Sequence, residues 1–288
     1  MTAAASTRRG IAVVLVAISL FACVDVLSKI LGNRMPVALV IWARFVIFVP
    51  VALALAWRPG RGILWRSAYP RLQLLRALIL PVQMWLWVSA FAALPLAEVH
   101  AIGSAGPLLV TALSVPLLGE RVGWRGWLAV LAGFCGVLLI VRPGFAEFRL
   151  PMLYVVAGAA CWAFYQIVLK KVGRADSAAT TGVWTAVVGS LASSLAAWFV
   201  WVPPDPVGWA LLTAAAVVGG AGHIVYSHAF NLAPASTLQP FNYLLLVYAA
   251  IFGWTIFGDV PDAWTIGGAA LVVAAGLYTF QRARSQDP

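Results

Sequence analysis

Runs of about twenty apolar residues recur along the chain from Ile11 onward, separated by connections of a few residues that hold most of the charge. A helix of that length rises about 30 Å, the thickness of a bilayer's hydrocarbon core. Repeated end to end, such runs leave almost nothing with which to build a water-facing surface. The composition agrees: 63% of the 288 residues are hydrophobic and 10% are charged, where a soluble domain carries roughly a quarter. Mean hydropathy is +0.95. The chain is therefore expected to be an all-α polytopic membrane protein whose first partner is the lipid bilayer. The run from Ile11 is too long for a signal-peptide core and no small-residue cleavage site precedes the next run, so it reads as the first span.

Turn residues and charges divide the chain into ten transmembrane helices near 11–31, 37–57, 70–93, 96–118, 124–141, 151–170, 178–201, 207–231, 234–257 and 263–281. Pro95 and Pro234 separate spans that hydropathy alone would fuse, because Pro in a helix's first turn gives up an N–H that has no partner there. With Arg8 and Arg9 placed in the cytoplasm, alternate connections collect Arg58, Arg61, Arg66, Arg71, Arg121, Arg125, Lys170, Lys171, Arg174, Arg282 and Arg284 on that side. The other side collects Arg34, Arg142 and Arg149. This is the positive-inside bias of a bacterial inner-membrane protein with both termini cytoplasmic. The net charge of +10 is accordingly a topology signal and not a nucleic-acid surface.

The chain also repeats itself. Pro95, Gly119 and Glu120 recur 139 residues later as Pro234, Gly258 and Asp259, and, with one residue inserted, Trp124 and Gly136 recur as Trp264 and Gly276. Five spans per half make the second half enter the membrane in the opposite sense, giving two inverted five-helix repeats, 11–144 and 150–281, between tails 1–10 and 282–288. Such halves supply two near-equivalent packings, the physical basis of alternating access.

The stretch PLAEVHAIGSAGPLLVTALSVPLLGERVGWRGWLAVLAGFCGVLLIVRPG, 95–144, resembles the EamA-type repeat of the drug/metabolite transporter superfamily. The likeness rests on Pro116, Leu118-Gly119-Glu120, Gly136-Val137 and Arg142-Pro143-Gly144. The second half resembles a weaker copy, with Phe257-Gly258-Asp259 at the Leu-Gly-Glu position and Thr255 and Asp259 in place of Pro and Glu. The resemblance implies a ten-helix exporter of metabolites or drugs. Its cavity would be bounded by the first, third, fourth, sixth, eighth and ninth spans. Some members look like exporters of amino acids, aromatic ones included, and of organic cations.

Ionisable residues inside hydrocarbon are expensive and face a partner, water or a substrate. Asp25 and Lys29 lie one turn apart on the first span and are placed to form an ion pair. Arg44, in mid-span, needs an acceptor, and Asp25 is the plain choice. Glu98 and His100 point about 200° apart on the fourth span, so one of the two faces a cavity. Glu98 is a candidate for a substrate ammonium or a proton. His223 and Tyr226 share a face of the eighth span, beside Gly219, Gly220 and Gly222, which permit close helix approach. On the ninth span Gln239, Asn242 and Tyr243 cluster within a turn, and Pro240 frees the carbonyl of Ser236. Trp85, or Trp162 with Tyr165, offers a stacking surface for an aromatic or cationic cargo.

Glu120, Arg125 and Asp259 read as turn residues, with Arg125 or helix N–H groups as partners for Glu120. Gly133, Gly136, Gly268 and Gly276 serve either a dimer seam or internal packing, and the oligomeric state is left open.

Cys23, Cys135 and Cys161 have no metal-ligand spacing, and neither a metal nor another cofactor is expected. There is no phosphate-binding Gly-rich loop, no metalloprotease motif and no nucleophile elbow. These absences argue against a pump or an enzyme. Sparse polar groups argue against a channel. The expected function is secondary export of small amphipathic metabolites, most readily amino acids including aromatic ones, and organic cations. Asp25, Glu98 or His223 is available for proton coupling. The rival is a membrane-embedded binding protein without flux.

Overall fold

The computed structural model describes residues 3–58, 62–63, 65–118, 123–144, 148–232 and 238–285. The helices are α1 (Ala3–Arg34), α2 (Val37–Ala56), α3 (Pro70–Ala93), α4 (Leu96–Gly103), α5 (Gly106–Leu118), α6 (Trp124–Val141), α7 (Leu150–Val172), α8 (Ala178–Trp198), α9 (Pro206–Leu232), α10 (Leu244–Phe257) and α11 (Ala263–Ser285). A 3₁₀ turn, Gln239–Tyr243, leads into α10. Trp57–Arg58 pairs antiparallel with Gly62–Ile63, a two-residue ribbon between α2 and α3. Seven helical stretches among the described residues are long and apolar enough to cross a membrane, and the shorter helices at 241–257 and 263–278 are apolar too. The chain is a multi-pass membrane protein. α8 falls outside that set, its sequence carrying three threonines and three serines between its apolar residues.

Two expected spans differ in form. The span 96–118 is broken at Ser104 and Ala105 into α4 and α5. Pro107 cannot donate to the carbonyl four residues back, and the Ser104 hydroxyl turns onto the Ala101 carbonyl at 2.6 Å. Likewise the span 234–257 opens as a 3₁₀ turn with Pro240 near its start. The carbonyl of Ser236, and Glu120 in the first half's turn, lie outside the described residues.

The closest helix partnerships are α1 with α9, α6 with α11, α3 with α7 and α2 with α8, while α4 packs on α10 and α5 on α7. Lipid gives no hydrophobic drive between helices, so close backbone approach at small residues does much of the packing. A Cβ on Gly136 would stand 2.8 Å from the Gly268 carbonyl, and Gly276 lies directly under the Tyr243 hydroxyl. Gly133 receives Leu108. Internal packing therefore uses the small residues that the sequence also offered to a dimer seam. Outward faces are apolar: Leu191 and Leu195 are exposed, and Trp198 is 80% exposed at the end of α8, as expected of a surface that meets acyl chains and an interfacial belt.

Gly258, with φ +72, ends α10 in the left-handed region, where a Cβ is costly. The next N–H, of Asp259, bonds back to the Gly253 carbonyl at 2.9 Å. This turn aims Asp259 at Lys29 of α1, across the bundle from its neighbours in sequence. α1 begins at what we call the near end of the bundle and finishes at the far end, where Lys29 lies.

Candidate functional site

The middle of the bundle gathers charged and aromatic groups from separate helices. α1 supplies Asp25 and α4 supplies His100, whose Nε2 lies 3.0 Å from Asp25 Oδ2. His100 is 9% exposed and is flanked by the rings of Trp87 and Phe91 at 5.9 and 5.6 Å. The Pro107 break leaves His100 in the last complete turn of α4, facing α1. Asp25 and His100 border a crevice lined by Ala22, Leu96, Leu245, Ala249 and Phe252, too tight to admit a water molecule.

Asp25 thus pairs with neither of the cations expected. Lys29 reaches Asp259 Oδ2 at 3.1 Å and the Leu94 carbonyl at 2.6 Å, with its ammonium 5.0 Å from the Phe257 ring centroid. One turn along the helix changes depth by about 5.4 Å, enough to commit Lys29 to the far-end turn and Asp25 to α4. Arg44 feels the charge of Asp25 without a hydrogen bond to it.

Glu98 is also corrected. It pairs with Arg149 at the far end, on the opposite side of α4 from the crevice. Asp259, expected as a turn residue, acts through Lys29 as an ion-pair partner. Arg125 lies over the Trp124 ring at 5.2 Å and is exposed.

On α9, His223 and Tyr226 clasp the Phe21 ring of α1, with centroid separations of 5.0 and 5.6 Å in edge-on geometry. Asn242 Nδ2 donates to the Tyr226 hydroxyl at 3.0 Å, so Asn242 belongs to this wall. Tyr243 does not: its hydroxyl is over Gly276 of α11, because adjacent residues on a helical turn point in different directions. The side chain of Gln239 lies outside the described residues.

Among the stacking candidates, Trp85 is 44% exposed on the outward stripe with Leu74, Leu78 and Val82. Trp87 is the α3 tryptophan turned inward. Trp162 and Tyr165 stack at 5.2 Å with their planes 12° apart.

One buried cation escaped the sequence reading. Arg76, fully buried in α3, donates to Tyr165 Oη at 2.8 Å, the Thr181 carbonyl at 2.8 Å, Thr185 Oγ1 at 2.7 Å and Gln73 Oε1 at 3.0 Å. Its location six residues inside an apolar run was the available signal, masked by the basic cluster that precedes it.

A bundle of apolar, membrane-length helices with paired charges and aromatic walls converging in its interior has the form of a membrane carrier. The chain belongs to the EamA-like transporter family, which matches residues 8–142 and 149–280, within the drug/metabolite transporter superfamily. It is a transporter-family protein and not an enzyme.

It is 29% identical over 257 residues to an S-adenosylmethionine uptake transporter of Rickettsia prowazekii, covering 88% of this chain and 86% of that protein. It is 32% identical over 204 residues to a riboflavin transporter of Vibrio cholerae, covering 70% and 68%. It is 25% identical over 270 residues to the pseudopaline exporter CntI of Pseudomonas aeruginosa, covering 93% and 94%. A solved crystal structure superposes with a TM-score of 0.64 at 20% identity, covering 98% of this chain and 99% of that one, a likeness of fold alone.

Proposed function

We propose that this protein is a secondary transporter of the inner membrane that moves a small amphipathic metabolite, built of a planar ring and a polar tail, by alternating access between two inverted five-helix halves. Both termini are cytoplasmic in this reading, as the loop charges favour. The observation that carries it is the convergence of Asp25, Arg44, His100 and His223 beside the rings of Phe21 and Tyr226. A hydrocarbon interior tolerates such groups where they serve a solute path. The packing scheme supports two exchangeable halves, since the α1 and α9 partnership has a counterpart in α7 and α3.

The relatives widen the cargo beyond the amino acids expected from sequence. S-adenosylmethionine and riboflavin both join a fused ring system to a polar tail, and aromatic amino acids are smaller examples of the same design. Uptake is the direction that the first-named relative favours, whereas the family resemblance implied export. His100 and Asp25 form the pair best placed to exchange a proton with the cargo.

The test is flux of labelled S-adenosylmethionine, riboflavin and tryptophan in proteoliposomes, loaded from either side, with and without a proton gradient. Saturable flux of one compound that Asp25→Asn abolishes supports the reading. Saturable binding with no flux of any bound compound overturns it in favour of a binding protein.

A further inference from the structure

With Asp25 bonded to His100, a cation in the interior of the bundle has no acceptor among the described residues. Arg44 sits in α2 between Ala43 and Phe45, both buried. Its Nη2 lies against α9, 3.6 Å from where a Cβ on Gly219 would stand and beside Val24 of α1. Gly219 is one turn before His223, whose electrostatic environment includes Arg44. The guanidinium is therefore turned into the space between α1, α2 and α9 and not toward lipid. Asp25 draws it electrostatically, but Asp25 Oδ2 is committed to His100 at 3.0 Å. Among the described residues nothing hydrogen-bonds to the Arg44 guanidinium.

Compare Arg76, which at similar distance from the chain's charged connections has Tyr165, Thr181, Thr185 and Gln73 as acceptors. A buried arginine with a structural role looks like Arg76. Arg44 instead presents an open planar fork, the geometry that takes two oxygens of one oxyanion. Beside it, Gly219 and Gly220 of α9 leave side-chain space, while Phe21, packed onto Gly222, forms an aromatic wall with His223 and Tyr226.

We propose that Arg44 binds an acidic group of the cargo, a carboxylate or a phosphate, while the cargo's ring packs against Phe21, His223 and Tyr226. This rests on the transport reading above and sharpens it: the polar tail is anionic at the point of contact. Asp25, bonded through Oδ2 to His100, makes no salt bridge to Arg44.

Matched pairs of probes test the assignment on the full-length purified protein: phenylalanine against phenylalaninamide, and riboflavin 5′-phosphate against riboflavin. Binding is followed by thermal stabilisation and equilibrium dialysis. The acidic member of at least one pair binds the wild type more tightly. Arg44→Gln then loses affinity for that member on the order of 30-fold or more, the scale for removing one partner of a buried charge pair, with little change for its uncharged counterpart. Arg44→Lys retains part of the preference and serves as the folded control if the glutamine variant elutes abnormally on gel filtration.

Three results overturn the assignment: both members of each pair bind equally, neither acid binds, or the acid preference survives undiminished in folded Arg44→Gln or Arg44→Lys. Flux separates this from the parent reading. Saturable flux of any cargo without acid preference removes the Arg44 role and leaves transport standing. Acid-selective binding that depends on Arg44, with no flux of the bound probe in proteoliposomes, removes transport and leaves the site.

Discussion

The two ends of the bundle close by different chemistry. At the far end four ion pairs among the described residues, Lys29 with Asp259, Arg34 with Asp205, Arg142 with Asp262 and Arg149 with Glu98, each join a residue before position 145 to one after position 147. Near-end contact between the halves centres on Asp176, which accepts bonds from the Ser67 hydroxyl, the Ala68 N–H at 2.8 Å and Gln73 Nε2 at 2.9 Å. Beside it the rings of Trp65 and Trp184 stack 4.5 Å apart, and Gln73 connects this cluster to Arg76. Charge-to-charge contacts weaken when water and salt reach them. Hydrogen bonds to neutral donors and ring stacking respond far less. The lesson is that closure of the far end can be altered by charge substitution alone, whereas the near end requires a change of shape or of hydrogen-bond partners.

The strongest test of that contrast is Asp259→Asn. It strands Lys29, 10% exposed at its side chain, with the Leu94 carbonyl as its remaining described oxygen partner. Stability should fall by about 3 kcal/mol, the low end for breaking a buried pair, read as a drop in the detergent melting temperature. A cysteine introduced beside position 259 should label faster with a membrane-impermeant reagent. An unchanged melting temperature would remove the far-end pair from the closure.

Arg76→Lys probes the other half of the comparison. Lysine keeps the charge but cannot reproduce a fork that meets Tyr165, Thr181, Thr185 and Gln73 together. A loss of about 2 kcal/mol is expected from two buried bonds unmade. High salt should leave this loss nearly constant. Equal stability of the lysine variant would show that charge, not geometry, is what this position needs.

A smaller effect concerns acid. Burial by itself would raise the Asp176 pKa, but the bonds from Ser67, Ala68 and Gln73 outweigh it and hold the carboxyl below its ordinary value. A depressed folded value means that the contribution of Asp176 is fully present above the unfolded value, near 3.9, and fades as pH falls through the folded value. The melting-temperature difference between wild type and Asp176→Asn should therefore be flat from about pH 7 to pH 5 and shrink below about pH 4. A difference that shrinks between neutrality and pH 5 would contradict the sign.

Least affected is Asp205→Asn. The pair with Arg34 is long, 3.4 Å, and both side chains are well exposed. Asparagine keeps an acceptor for the Gly208 N–H at the start of α9. A change of no more than about 0.5 kcal/mol is expected, and a larger one would mean that the four far-end pairs act as a unit.

Much of this was legible before any coordinates. Apolar runs of spanning length set the class, Pro95 and the glycine-containing turn at Gly258 marked real breaks, and mid-span Asp25, Arg44 and His223 stood out because charge in hydrocarbon needs a reason. Tyr226 and Asn242, read as members of separate clusters on the eighth and ninth spans, bond to each other. Partner choice was not legible. The i, i+4 spacing of Asp25 and Lys29 made them neighbours on one helix, yet each found a better partner from a helix far away in sequence. Trp85 and Trp87 are equivalent in composition but face opposite ways, and a hydrophobic pattern that must satisfy lipid outside and packing inside carries little periodic signal to tell them apart.

What the sequence determined by itself is therefore everything that depends on a residue's own transfer energy: which segments lie in lipid and which side chains are too costly to be there without purpose. The tertiary structure alone decided who pairs with whom: His100 with Asp25, Asp259 with Lys29, Arg149 with Glu98, and, among the described residues, no hydrogen-bond partner for the Arg44 side chain. Pairing depends on depth and facing angle between helices distant in sequence, and those distances exist only once the bundle is packed.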